Sequence, residues 1–359
     1  MKHTGMISRR SFLQAAALTA ACSALALTGC GSSSSAASSA AGAASAQEGA
    51  AVYKVGIVNY VDDASLNQIV ASLEARLDEV GAERGVTFNY ADYYANAQAD
   101  QSNLNQIGAD LVADEVDVIV AVATPSASTM LAAVEDTDIP VIYSAVTDPV
   151  GAGFDGLPNI TGTSDALNTE AIMNLILSIN PDLDQLGLLY DLGQDSSTQA
   201  IADAKAFCDE HGIRYIEKNG TNTAEVQMAV EALAASGVKV VFTPTDNTIM
   251  TAELAIYETM IEAGIQHFTG ADSFALNGAF MGYGVDYVQL GEATADMVAE
   301  LLCDGKTIAD LPYRTFDNGT ATINTETCAA LGLDLETVKT AFEPYCTAIE
   351  ELVTAEEFA

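Results

Sequence analysis

Basic side chains are scarce in this chain and histidines scarcer still, with 13 lysines and arginines and three histidines against 50 acidic residues. Three of the basic residues and none of the acidic ones fall in residues 1–30. The chain from Cys30 onward therefore carries 10 basic and 50 acidic groups, a formal charge of −40. Such a surplus repels phosphate backbones and anionic headgroups, which excludes nucleic-acid binding and a polybasic contact with a membrane. His211 and His267 are the only histidines beyond residue 30, and Cys208, Cys303, Cys328 and Cys346 show no CxxC spacing. Neither a zinc site nor a catalytic triad is expected from that set. The four cysteines could stay free or pair in three ways, a Cys328–Cys346 bridge being one. GxxxxGKS/T, HExxH and GxSxG are all missing, which removes the common phosphate, zincin and hydrolase signatures. GAGFDG at 151–156 matches GxGxxG by letter, but Pro149 and Pro158 bracket it and no helix opens from it. It reads as a loop, and no metal, cofactor or enzymatic activity is expected.

Acidic residues are absent from the whole stretch before Glu48. Lys2, Arg9 and Arg10 precede an apolar run over 12–27, the layout of a signal peptide whose hydrophobic part is too short to span a membrane comfortably. SRRSFLQ at 8–14 resembles the twin-arginine export signal, with Gln14 where lysine is usual, and the ordinary secretory route fits as well. LTGC at 27–30 looks like a bacterial lipobox, so 1–29 is expected to be removed and Cys30 lipidated. Only a thiol gives the required thioether, and each buried acyl methylene contributes about 0.8 kcal/mol to membrane attachment. Residues 30–52, rich in serine and alanine and with no charge before Glu48, read as a flexible tether with a root-mean-square reach of about 25 Å.

From residue 54 to 346 the chain is long enough for two domains. Short β-rich runs alternate with segments of helical period, the signal of stacked βαβ units. Strands are expected at 54–60, 86–93, 116–122 and 139–146, with helices at 64–85, 99–114 and 125–135. A second series follows, with strands at 185–191, 213–218, 238–245, 265–272 and 278–285 and helices at 196–211, 223–237, 247–264 and 287–303. Two similar α/β halves in tandem predict two doubly wound, parallel-sheet lobes facing across a cleft.

In open parallel sheets, ligands sit beyond the carboxyl ends of the strands, where helix N-termini present unpaired N–H groups. The loops so placed are YVDDAS (60–65), ATPSAS (123–128), SAVTDP (144–149), YDLGQDSS (190–197), TPTDN (243–247) and GADSF (270–274). Five contain aspartate and none contains lysine or arginine, whereas Lys54, Arg214 and Lys239 fall at strand starts. A phosphate would meet Asp62, Asp63, Asp148, Asp191, Asp195, Asp246 and Asp272 with no cation to hold it. A ligand with an ammonium group, and with a carboxylate set on a helix N-terminus around Ser126–Thr129, fits better. Any one of these aspartates alone reads as a helix N-cap; their recurrence along one sheet edge carries the ligand reading.

The segments VGIVNYVDDASL, VDVIVAVATPSA, IPVIYSAVTDPVGAG, NITGTSD, LGLLYDLGQDSS, VVFTPTDNTI and GADSFALNGAFMGYGVDYVQLGEATADMVAELL follow one another in order. On them the chain resembles the substrate-binding lipoproteins of ABC importers, in the family that includes tryptophan- and tyrosine-binding members. The resemblance implies the periplasmic-binding-protein type I fold. It implies a first lobe of 53–160 plus 283–312, a second of 161–282 plus 313–345, and a C-terminal tail from 346, with crossings near ITGTS, GYGVD and 312–315. The binding positions it carries over are Tyr60, Asp63, Ser65, Thr124, Pro125, Ser126, Ala127, Thr147 and Asp148 in the first lobe. In the second they are Asp191, Ser196, Ser197, Thr245, Asp246, Asn247 and Asp272. Neutral donors at 124–128 are expected to take a carboxylate, Asp246 or Asp272 an ammonium, and Tyr60 with Phe274 to flank an apolar or aromatic side chain. The partners implied are an amino acid, an ABC permease with its ATPase, and a membrane reached through the lipid on Cys30. A receptor for a membrane signalling partner and a binder of nucleosides or sugars are the alternatives, because fold alone does not choose among them.

Overall fold

A computed structural model describes residues 50–316 and 319–358. The expected signal peptide, Cys30 and all of the tether up to residue 49 lie outside the described residues. The chain is already extended at residue 52, where the first strand begins.

That strand, β1 (Val52–Asn59), leads into α1 (Ala64–Arg84), β2 (Thr87–Asn89), β3 (Tyr94–Asn96), α2 (Gln101–Ala113), β4 (Val118–Val122), α3 (Thr124–Ala133), β5 (Val141–Ser144) and β6 (Ile160–Ser164). The chain then runs through α4 (Thr169–Ile179), β7 (Gln185–Tyr190), α5 (Asp195–His211), β8 (Arg214–Asn219) and α6 (Thr223–Ser236). Next come β9 (Val240–Thr243), α7 (Asn247–Glu262), β10 (Gln266–Thr269), α8 (Asp272–Leu276) and β11 (Met281–Gly284). The last stretch holds α9 (Tyr287–Cys303), β12 (Arg314–Thr315), β13 (Thr320–Asn324), α10 (Thr325–Ala330), α11 (Leu335–Phe342) and β14 (Ala348–Leu352).

These strands form two sheets. The first has the order β12-β6-β5-β4-β1-β2, with β3 also paired to β1, and all its pairs are parallel. The second has the order β14-β13-β11-β10-β9-β7-β8, and only its β11–β13 pair is antiparallel. Every residue of β4, β5 and β9 is buried, as expected of central parallel strands covered by helices on both faces. Helix α9 follows β11 but packs on α1 of the first lobe. A side chain at Gly291 would run into the Ile69 carbonyl and the Ser72 hydroxyl. The Thr294 hydroxyl lies 3.0 Å from Ser144 Oγ and 2.9 Å from Thr163 Oγ1, fastening the same helix to β5 and β6.

Sheet pairing moves the lobe boundaries from where the sequence put them. ITGTS is not a crossing but strand β6, held by register with β5 (Ser144 opposite Thr163), so the first lobe extends to Ser164. Strand β11 remains in the second sheet through Gly284, and β12 pairs with β6 through Thr315. The expected tail contains β14, which extends the second sheet with Ala348 opposite Thr320. The expected strand at 86–93 forms only as β2, because a turn follows with Tyr93 N–H donating to Tyr90 O, and β3 begins beyond it at Tyr94. All four cysteines are free. Cys208 and Cys328 are buried, and no Cys328–Cys346 bridge forms.

Candidate functional site

The two lobes touch directly across the cleft. Ser65 Oγ, at the start of α1, donates to Asp272 Oδ1 at 2.6 Å and accepts from the Ser273 N–H at 3.2 Å. Thr147 Oγ1 lies 3.0 Å from Thr245 Oγ1 of the opposite lobe and donates to Asp165 Oδ1 at 3.0 Å. The structure is therefore closed, and between these contacts a cavity of only about 10 Å³ remains. Its wall takes Ser65, Leu66, Ala123, Thr124, Ala145, Thr147, Asp165 and Tyr287 from the first lobe and the second crossing. From the second lobe it takes Ser196, Thr245, Asn247 and Met250. No lysine, arginine or histidine lines it.

Helix starts divide into two kinds. Asp63, Asp100, Asn168, Asn222, Asp246 and Asp286 each cap their helix with a side-chain oxygen, satisfying N–H groups that helix geometry leaves open. Helices α3, α5 and the short α8 have no such cap, and the first two begin at the cavity, at Thr124 and Ser196. At α3 the N-cap is Ala123, with φ 74° and ψ 154°, a region that an L-residue enters only at a cost of about 1–3 kcal/mol and that clusters at ligand sites. Ala145, at the end of β5, also has positive φ (57°). Thr124 Oγ1 and Ser126 Oγ are buried without a hydrogen-bond partner. The α3 start thus combines a helix-dipole terminus, first-turn donors without a cap and an unpartnered hydroxyl on the cavity wall, the elements of a carboxylate site.

The structure distributes the expected site residues over three kinds of position. Ser65, Thr124, Thr147, Ser196, Thr245 and Asn247 line the cavity. Pro125, Ser126 and Ala127 sit inside α3, where the Pro125 carbonyl accepts from Thr129 Oγ1 and the Ala127 N–H closes the first helical turn on Ala123 O. Asp148 holds a turn by accepting from the Gly151 N–H at 2.8 Å and fronts a shallower groove outside. Tyr60 is buried beside Gln194 rather than on the wall, and Phe274 is sealed in the core with its ring edge-on to His267.

The aspartates separate just as sharply. Asp246 Oδ1 accepts from the N–H groups of Thr248 and Ile249, both at 3.0 Å, and its Oδ2 from Asp191 N–H and Ser197 Oγ, both at 2.7 Å. Asp191 is likewise committed, to the Gly193 N–H and Thr248 Oγ1. Asp63 caps α1 through the N–H groups of Ser65 and Leu66. Asp272 holds Ser65 and faces a separate hollow lined by Asp286 and Glu350. Burial pushes the Asp63, Asp165 and Asp246 carboxyls up to about 6, and Asp272 up to about 7 with the Asp63 charge adding to the push. Asp165 alone among them lies on the cavity wall. Sequence reasoning did not single it out, nor Leu66, Ala123, Ala145, Met250 or Tyr287. A strand end at Ser164 would have pointed to Asp165, but ITGTS does not read as a strand.

One arrangement in the second lobe has the outline of a triad. Thr243 Oγ1 is 2.8 Å from His267 Nε2, and His267 Nδ1 is 3.1 Å from Glu253 Oε1. All three are buried, with at most 2 % exposure, so the trio crosslinks β9, β10 and α7 inside the core and has no route to a substrate.

The comparisons with known proteins agree with this architecture. The family model for ABC transporter substrate binding proteins matches residues 54–341. A tyrosine-binding protein of Clostridioides difficile is 29 % identical over 284 residues, covering 78 % of this chain and 81 % of that one. The solved ABC domain from Streptococcus pneumoniae in complex with L-Trp superposes with a TM-score of 0.74 at 26 % identity, covering 83 % of this chain and 100 % of that one. A ligand-free, open substrate-binding protein from Clostridium difficile gives 0.62 at 25 % identity, covering 84 % and 100 %. The higher score against the ligand-bound molecule, at nearly equal coverage, accords with the closed lobes seen here. Two α/β lobes, a cleft lined from both at their strand ends and a family match over most of the chain lead to one assignment: the chain belongs to the ABC transporter substrate-binding proteins.

Proposed function

We propose that the protein is a lipid-anchored, extracytoplasmic receptor that captures an aromatic amino acid between its lobes and delivers it to an ABC permease driven by its ATPase. The observation that carries the amino-acid reading is the pairing, on one cavity wall, of the uncapped α3 start with the Asp165 carboxylate. Thr124 with its unpartnered hydroxyl belongs to the first, and Asp165, with no cation on this wall among the described residues, to the second. An α-carboxylate at the former and an α-ammonium at the latter would complete both. The proposal keeps an amino acid as the ligand and assigns its ammonium to Asp165 rather than to Asp246 or Asp272. The relatives support the aromatic side chain through the tyrosine and tryptophan in their names, and Leu66, Met250 and Tyr287 on the wall offer apolar and aromatic contact for it. The lipid anchor rests on Cys30 and the lipobox, and the permease on the family.

Calorimetric titration of the body from residue 50 with L-tyrosine, L-tryptophan and L-phenylalanine tests the reading. Tyramine and 3-(4-hydroxyphenyl)propionate, each lacking one charged group, serve as controls. The amino acids are expected to bind at least about 100-fold more tightly than either control, since each control leaves a buried group of the cleft unpaired. Binding of nucleosides or sugars, with none of the amino acids, would overturn it.

A further inference from the structure

Behind the cavity wall, three side chains from two lobes form a chain of amides ending on a phenol. Asn247 opens α7 and lines the cavity. Its Nδ2 donates to Gln194 Oε1 at 3.0 Å, and the Gln194 side chain in turn lies beside the Tyr60 phenol of the first lobe, close enough to lower the pull of burial on that phenol. All three are buried, none more than 9 % exposed. An amide has a distinct donor end and acceptor end. With the Asn247 donor end engaged by Gln194, the free position on the wall is the Oδ1 acceptor, for which the described residues provide no donor. Asp246 beside it is saturated by four donors of its own lobe and cannot serve in its place.

We infer that Asn247 is the specificity-determining residue for the ligand side chain, its Oδ1 accepting a hydrogen bond from a side-chain donor, and that Gln194 is its positioning residue. The inference rests on the amino-acid reading above and narrows it. The preferred ligands are aromatic amino acids carrying an O–H or N–H on the ring, tyrosine and tryptophan, over phenylalanine and the aliphatic residues. A buried acceptor left without a donor costs more than a missing apolar contact, so such a site rejects the analogue lacking the donor more strongly than size alone would. Because Gln194 also meets Tyr60 across the cleft, the amide is held in register only when the lobes are closed, which joins side-chain reading to closure.

The test is the affinity ratio among L-tyrosine, L-tryptophan and L-phenylalanine, measured by titration calorimetry in the wild type, Asn247→Leu and Gln194→Leu. In the wild type, tyrosine and tryptophan are expected to bind about 10- to 100-fold more tightly than phenylalanine. In Asn247→Leu that ratio should collapse to within about threefold of unity, and in Gln194→Leu it should fall to an intermediate value. A general loss of packing would lower all three affinities together and leave the ratio intact. Wild-type binding of phenylalanine as tight as that of tyrosine and tryptophan overturns the inference alone, as does a ratio that Asn247→Leu preserves. Failure of all three amino acids to bind the wild type overturns the amino-acid reading and this inference with it.

Discussion

Asp246 commits both carboxylate oxygens to donors of its own lobe, whereas Asp165 accepts from Thr147 and meets no cation among the described residues. Substitution should therefore separate folding from binding. Asp246→Ala removes an N-cap, worth about 1 kcal/mol, and leaves the Asp191 N–H and Ser197 Oγ buried without an acceptor, about 1–3 kcal/mol each. It is expected to lower unfolding free energy in urea by about 3–5 kcal/mol, while the folded fraction still binds. Asp165→Asn keeps the Thr147 hydrogen bond and loses only the charge. It should leave the urea midpoint within about 0.5 kcal/mol of wild type and weaken an amino acid by at least about tenfold. The reverse pattern, weak binding in Asp246→Ala and intact binding in Asp165→Asn, would return the ammonium to Asp246. The loop that holds Asp246 was legible in the sequence, because strand ends and helix starts follow from hydrophobic period, whereas the segment that holds Asp165 follows a strand, ITGTS, that the sequence did not reveal. The duty of neither residue was legible, because whether an aspartate caps its own helix or faces a ligand is decided by donors dozens of residues away, such as Asp191 and Ser197 for Asp246.

Helix α9 is the element on which the two-lobed arrangement turns, since it follows a strand of the second sheet and packs on the first lobe. Gly291 permits that approach. A methyl there meets the backbone carbonyl of Ile69, which cannot swing away as a side chain would. Gly291→Ala should destabilise the first lobe by about 1–3 kcal/mol, the cost of overpacking a closely fitted contact, even though alanine is the better helix former. Urea unfolding measures it, and an unchanged or raised midpoint would show that α1 can shift. The limits of α9 agree between sequence and structure, 287 to 303, because Asp286 supplies a cap and a long apolar stripe supplies the period. Shorter elements escaped the sequence. Strand β6 is only ITGTS, helix α4 is an apolar run of 11 residues, too short for periodicity to separate strand from helix, and β14 (AIEEL) carries two acidic residues on an edge. Each is fixed by the neighbour it meets rather than by its own pattern.

For the molecule as a whole, closure gathers carboxylates without a compensating cation. Asp63, Asp165 and Asp272 all bear on the buried Tyr287 phenol, Asp63 also on Asp272, and Glu357 of the C-terminal segment on Asp63. Burial holds these carboxyls, and Asp246 in the second lobe, up at about 6 to about 7, above the value of about 3.9 of a hydrated aspartate. The closed fold therefore binds protons that the unfolded chain has already released. Its stability is full below about pH 4 and declines as pH rises through the window between about 4 and about 7. Glu217 and Glu300, whose carboxyls are lowered by Lys205 and by Lys306 with Arg314, act in the opposite sense, but below the usual glutamate value and so outside most of that window. The ligand-free protein should accordingly melt at a higher temperature at pH 5 than at pH 8, and its radius of gyration by small-angle scattering should grow over the same range as the hydrated, charged carboxylates favour the open form. Asp272→Asn retains an acceptor for Ser65 and removes the group held highest. Its melting temperature should vary less between pH 6 and pH 8 than that of the wild type. Equal slopes in the two proteins, or a wild-type profile rising toward pH 8, would mean that the interlobe carboxylates remain charged when the cleft is shut and that closure is not coupled to proton uptake.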